Sequence, residues 1–348
     1  MGKTKAAATS SLLFTLAAAL LIGRTACAYE QPLAPVPEVP GLEQTKIDLG
    51  HKLFFDKRLS KDGSMSCVSC HEMTEKGAGA RPGVKKDKNI SGIEIGTNSP
   101  SIFNAWFGFR QGWRADSDTL ETLINRPLVN HMNYPPLPGQ KRAPNSKEQR
   151  DAETATWKEV LERLRNVPVY AHAFSFLYDS GVTRASVENA LTQYMTALLP
   201  RGSRFDSYLL GHDEAISQDE KDGYARFKSF GCVSCHQGRG VGANMVAEFG
   251  VMLADDGAAE PMVERDASGK PSHARFKVPS LRNVTRTFPY FHDGSIAELS
   301  DAIRIMGRVQ LGRAISDNDI KLLKAFLGSL EAAPDQKLLA DPFAGDGK

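Results

Sequence analysis

The chain has 348 residues and a formal net charge of +2, from 43 Lys and Arg against 41 Asp and Glu. That length allows more than one domain, and the balanced charge offers no basic surface to draw nucleic acid or an anionic membrane. Five cysteines and an apolar amino terminus are the features that narrow the class.

Residues 1–28 read as a secretory signal. Lys3 and Lys5 give a basic start, Leu12 to Ile22 an apolar core, and Ala26-Cys27-Ala28 a small-residue cleavage site before Tyr29. The apolar run is too short and alanine-rich for a good membrane span, and no later segment approaches the length one needs. Arg24 stands where a lipobox would want an apolar residue, so Cys27 is expected to leave with the signal rather than carry lipid. Without Lys3, Lys5 and Arg24 the formal charge becomes about −1, and four cysteines remain.

Those four fall in two copies of one pentapeptide, Cys67-Val68-Ser69-Cys70-His71 and Cys232-Val233-Ser234-Cys235-His236. A lone C-x-x-C could be a redox dithiol or half a zinc site. With histidine following at once, two thiols can form thioethers to the two vinyl groups of one porphyrin, and the histidine can ligate its iron. The spacing therefore predicts two covalently bound haem c groups and leaves no cysteine for a structural disulfide. Covalent haem, a signal and no disulfide point to a bacterial periplasm.

Helical periodicity dominates the rest, and no alternating strand stands out. Tyr134 to Asn145 reads as a loop, and Val187, Leu191, Tyr194, Met195, Leu198 and Leu199 form an apolar stripe at helix spacing. Ser217-x-x-Glu220 is a capping box opening a helix that delivers the chain to Cys232, and Ser316-x-x-Asp319 opens another. The predicted class is all-α: two cytochrome-c-like haem domains in series, at 29–200 and 201–332, with a loose tail at 333–348. Met306 lies on a helical segment, Ala297 to Arg308, where spacing alone fits core filler better than an iron ligand. From Ala78 through Gln111 the chain has no histidine or methionine.

At this point the chain resembles the bacterial dihaem cytochrome c peroxidase family. The resemblance rests on LGHKLFFDKRLSKDGSMSCVSCH, on NSPSIFNAWF and on KVPSLRNVTRTFPYFHDGSIAELSDAIRIMGRVQLG, and spans nearly the whole mature sequence. It implies reduction of hydrogen peroxide at the first haem (Cys67, Cys70, His71), with electrons from a small cytochrome c or cupredoxin entering at the second (Cys232, Cys235, His236). It implies that Met306 is the second haem's other axial ligand, where relatives in methylamine utilisation carry tyrosine. It also places Trp113 between the haems, a position where residue type alone suggests a core or interface tryptophan. Asn98, Thr287 and Pro289 fall at the family's calcium site, and His292 in the matched segment near the second haem. A homodimer is among the assemblies the resemblance admits.

Two departures bear on mechanism. Many relatives close the resting first haem with a histidine in the loop before NSP, and Lys85 to Gly96 has none, so an open peroxide site is expected in the oxidised protein. The family's distal glutamate has no clear counterpart either. Counting from either side of an insertion gives Asn133, beside His131-Met132, or Glu153, with Glu153 favoured for its carboxylate and His131 next. His51, His172, His212 and His273 read as surface or helix residues. The rival readings are a dihaem oxidase acting on a partner protein and a non-catalytic electron carrier.

Overall fold

The computed structural model describes residues 31–344 except 40, 75–78, 138–142, 144, 254–262, 265–271 and 273. The expected signal, Cys27 and His273 lie outside the described residues. In chain order the helices are α1 Gln44–Phe55, α2 Leu120–Pro127, α3 Lys147–Arg165, α4 Pro168–Leu177, α5 Arg184–Ala197, α6 Arg204–Leu209, α7 Gln218–Ser229, α8 Leu299–Leu311, α9 Asp317–Ser329 and α10 Gln336–Leu339. Two three-residue strands, β1 Val246–Glu248 and β2 Arg275–Lys277, pair antiparallel with Ala247 opposite Phe276. The helical expectation holds, and this small ribbon is the exception that alternation over so few residues could not reveal. No described helix is long and apolar enough to cross a membrane.

Leu33–Lys348 cluster as one unit containing two main hydrophobic cores. The first gathers Leu53, Val160, Leu164, Phe174, Val187 and Leu191 from α1, α3, α4 and α5. The second gathers Phe205, Tyr224, Phe227, Leu323 and Phe326 from α6, α7 and α9. Each core is organised by one close helix crossing made at a glycine. A Cβ on Gly50 of α1 would collide with the backbone carbonyl of Ala190 on α5, and one on Gly223 of α7 with that of Leu322 on α9. In both cases the absent side chain lets two backbones meet; α7 runs directly into the second CVSCH turn, while α1 precedes the first with the 3-10 turn Lys57–Leu59 between them.

The caps explain where these helices begin. Ser217 and Glu220 exchange hydrogen bonds across the first turn of α7, at 2.7 and 3.3 Å, as the sequence pattern requires. At α9, Ser316 Oγ accepts from the Asp319 N–H at 3.2 Å.

The chain ends do not follow the expected division. Leu33 is buried in the second core and bridges Gly238, while Arg282 donates to the Ala34 carbonyl and to a buried ion pair with Asp206 at 2.8 Å. At the other end, the segment expected to be a loose tail forms α10. Its Leu339 is buried in the first core, and the Leu338 carbonyl accepts from Tyr194 Oη at 2.7 Å. An apolar Leu-Leu pair within a short polar stretch was too little signal to separate docking from fraying.

Candidate functional site

Both CVSCH segments form a single 3-10 turn, Cys67–Ser69 and Cys232–Ser234, in which the histidine N–H donates to the first cysteine's carbonyl at 3.0 Å. None of the four cysteines is paired in a disulfide. Burial pushes Cys67 and Cys70 up to about 12 and Cys232 to about 11. A thiol-exchange dithiol needs a lowered pKa, so this environment opposes that chemistry. Among the described residues no group of three or more His, Cys, Asp or Glu is placed to hold a metal ion, so neither CxxC pair has the further ligands of a zinc site. Partly buried, neutral thiols beside a histidine fit thioether attachment.

The imidazoles are oriented by matching segments. His71 Nδ1 lies 3.0 Å from the Gly79 carbonyl, which fixes the proton on Nδ1 and leaves Nε2 with the lone pair a metal would need. The Pro100 carbonyl acts on the same ring. At His236 the Pro279 and Val241 carbonyls lie close enough to act on the ring, but Nδ1 makes no hydrogen bond; burial dominates and lowers the ring to about 4. The two proline segments are alike in sequence, Pro100-Ser101-Ile102-Phe103-Asn104 and Pro279-Ser280-Leu281-Arg282-Asn283. In each, the serine Oγ accepts from the N–H two residues on, at 3.1 and 3.2 Å, and the asparagine takes a left-handed φ of 62° and 60° before a 3-10 turn. Asparagine suits that conformation because its short amide offsets the Cβ strain. This second repeat was legible in the sequence beside the repeated CVSCH and was missed.

The first site has further charged neighbours. His131 lies on the π-helical turn Leu128–Asn133 that continues α2. Burial pushes its imidazole down to about 4, with Arg126 and His71 adding to the effect and Asp87 opposing it. Asp87 was missed because it sits in the lysine-rich run KKDKN, which reads as solvated. It is 2% exposed, pairs with Arg81 and accepts from Ser99 Oγ at 2.6 Å, and its charge also acts on Cys70 and His71. The loop it organises is tied to the π-turn through the Ile90 N–H and the His131 carbonyl at 2.8 Å. Glu153, favoured from sequence for its carboxylate, points elsewhere: on α3 it pairs with Arg184, whose guanidinium also lies over Trp157. Asn133 is buried with its amide donating to the Leu59 and Leu128 carbonyls at 2.9 Å, a structural role.

Between the two motifs, Trp113 donates Nε1–H to the Asn98 carbonyl at 2.8 Å, and its own carbonyl accepts from the Lys277 N–H at 2.8 Å. His292 lies edge-on to Trp113 at 6.5 Å and stacked on Phe276 at 4.3 Å. Asn98 is 7% exposed, with its amide 2.7 Å from the Pro289 carbonyl, and Thr287 lies two residues before that proline. An Asn oxygen and backbone carbonyls are the kind of hard donors that calcium prefers, but here it is the Asn98 amide nitrogen that faces the Pro289 carbonyl. On α8, Leu299 and Ala302 enter the second core and Ile305 and Val309 a third small cluster, with Met306 partly buried between them. His51, expected at the surface or in a helix, lies in α1, 8% exposed and stacked on Tyr194 at 4.9 Å. His172 and His212 are exposed as expected.

A family model for di-haem cytochrome c peroxidase matches residues 44–214. Cytochrome c551 peroxidase of Nitrosomonas europaea is 31% identical over 334 residues, covering 95% of this chain and 93% of its own. Methylamine utilization protein MauG of Methylorubrum extorquens is 28% identical over 317 residues, covering 86% and 82%. Among solved structures, a MauG-like protein associated with microbial copper homeostasis superposes with a TM-score of 0.65 at 26% identity, over 91% of this chain and 97% of that one.

Proposed function

Since the chain belongs to the di-haem cytochrome c peroxidase family, we propose that it reduces hydrogen peroxide to water in the bacterial periplasm, drawing electrons from a small cytochrome c or cupredoxin. It is a di-haem peroxidase; the donor, the compartment and the residue roles are the substance of the proposal. Cys67, Cys70 and His71 hold the first haem, and Cys232, Cys235, His236 and Met306 the second. Haem supplies the iron that binds peroxide and the one-electron couples that store charge.

The balance is H2O2 plus two electrons and two protons to two waters, so a proton must move from one peroxide oxygen to the other. His131 is assigned that task. The observation that carries the reading is its placement: an imidazole kept neutral by burial, on a turn bonded to the loop beside His71. A neutral imidazole can accept a proton at neutral pH, and the Asp87 charge stabilises the imidazolium that forms. Trp113 carries electrons between the halves, and calcium at Asn98, Thr287 and Pro289 holds the carbonyl on which its indole hangs.

The test is stopped-flow mixing of the as-isolated, fully oxidised protein with peroxide, followed by turnover with reduced cytochrome c. Fast haem spectral change without prior reduction is expected, because the loop before NSP, Lys85 to Gly96, supplies no histidine or methionine. His131→Ala should slow this step by about 10²–10⁴-fold, while Glu153→Gln should not. Reaction only after reduction would show that the first site is closed at rest. Reaction with peroxide but none with small donors would favour oxidation of a partner protein, and no reaction in either state an electron carrier.

A further inference from the structure

Position for position, the two proline segments diverge two residues before the proline: the first has Asn98 and the second Lys277. Both backbones grip Trp113, but the lysine side chain has no role in the chemistry described so far. It is partly buried, and its Nζ reaches a single acceptor, Gln111 Oε1, at 3.5 Å, the limit of a hydrogen bond. Gln111 is 3% exposed, and its Nε2 is spent on the Ala105 and Gly108 carbonyls at 3.0 Å each, so its oxygen is held toward the lysine. Among the described residues no carboxylate pairs with Lys277. Asp116, whose charge acts on it, is bound to Arg126. Burial lowers the ammonium to about 8, which leaves it largely charged at neutral pH. A desolvated cation with one weak acceptor is costly unless an anion completes its surroundings.

The backbone says where that anion must come from. Val278, the next residue, is bonded in both directions to the loop after His236, through Ala243 N–H at 2.9 Å and the Met245 carbonyl at 3.0 Å. Pro279 follows and turns its carbonyl to the His236 ring. The porphyrin that rests on His236 carries two propionate carboxylates on the edge opposite its thioether links. We propose that Lys277 is the counter-ion of a propionate of the haem held by Cys232, Cys235 and His236. This rests on the two-haem reading above. The pairing holds the far edge of that haem beside the backbone that grips Trp113, and a fixed positive charge there favours the reduced haem, the form that stores an electron.

The experiment uses the holoprotein with Lys277→Met, which keeps the chain length and removes the charge, and Lys277→Arg, which keeps it. Haem content by pyridine haemochrome, expected at two per chain, tests the two-haem reading by itself. Spectroelectrochemical titration then reads each haem separately. Lys277→Met should shift the second haem's reduction equilibrium about tenfold toward the oxidised form, about 59 mV for one electron, and Lys277→Arg less than twofold. An unchanged second haem in a fully loaded Lys277→Met protein, or a shift confined to the first haem, overturns the proposal. If Lys277→Met does not load haem, resonance Raman of wild type against Lys277→Arg decides. A forked guanidinium in place of a point charge should move the propionate bending band, and an identical band overturns the assignment.

Discussion

An indole can pass electrons between two centres only as reliably as it is held in place, and Trp113 is held by main chain on two sides. Its Nε1–H goes to the Asn98 carbonyl and its carbonyl to the Lys277 N–H. No base stands at the indole nitrogen, since a backbone carbonyl cannot take its proton. Trp113→Phe should therefore leave both haem spectra nearly native and the fold intact, losing one hydrogen bond worth about 1 kcal/mol. Inter-haem transfer, followed by pulse radiolysis, should slow by at least tenfold; an unaltered rate would remove Trp113 from the path. At this scale the sequence was readable wherever residue type announces chemistry, as in the two CVSCH turns. It was unreadable where the chemistry depends on burial of a charge. Asp87 and Lys277 look like ordinary solvated residues until the fold encloses them, and Glu153 looked useful until α5 brought Arg184 against it.

Helices carry the next level of specification. Caps such as Ser217 with Glu220 and the apolar stripe through Val187, Leu191 and Tyr194 were visible in advance because they are local. The crossings at Gly50 and Gly223 were not, since a glycine inside a helix gains meaning only from the partner backbone. Gly50→Ala and Gly223→Ala each force a carbonyl to retreat and should destabilise by about 1–3 kcal/mol, read by thermal or denaturant unfolding. The two should also differ in kind. Gly50→Ala should disturb the absorption of the first haem, whose turn follows α1, and Gly223→Ala that of the second, whose turn follows α7. Equal disturbance of both haems by either change would mean that the crossings are not independent supports. The π-turn that presents His131 was hidden for another reason: Pro127 ends the ordinary hydrogen-bond ladder, and nothing in LVNHMN reveals that the chain then widens rather than stops.

Across the whole molecule, several histidines are kept neutral by burial. His51 and His292 lie below the usual value of 6.5 because burial disfavours their charged forms, and His131 is pushed to about 4. The unfolded chain takes up these protons near 6.5, whereas the folded chain resists them. Stability is therefore complete above about pH 6.5 and is lost as pH falls through that value toward 4. The holoprotein's Tm should drop by about 5 °C between pH 7 and 4.5, and His131→Gln should flatten that slope. A Tm constant over this range would mean that the imidazoles already meet solvent.

The exchange of chain ends has a practical side. Leu33 and Ala34 complete the second core and its buried Arg282–Asp206 pair, while Leu338 and Leu339 seal the first against Tyr194. A cut near residue 200 would thus yield two fragments, each deprived of a plug that travels with the other. The polypeptide is laced rather than merely joined at its middle. Neither half can be borrowed as a free-standing cassette, and a circular permutant opened at that joint would need its old termini linked across both seams.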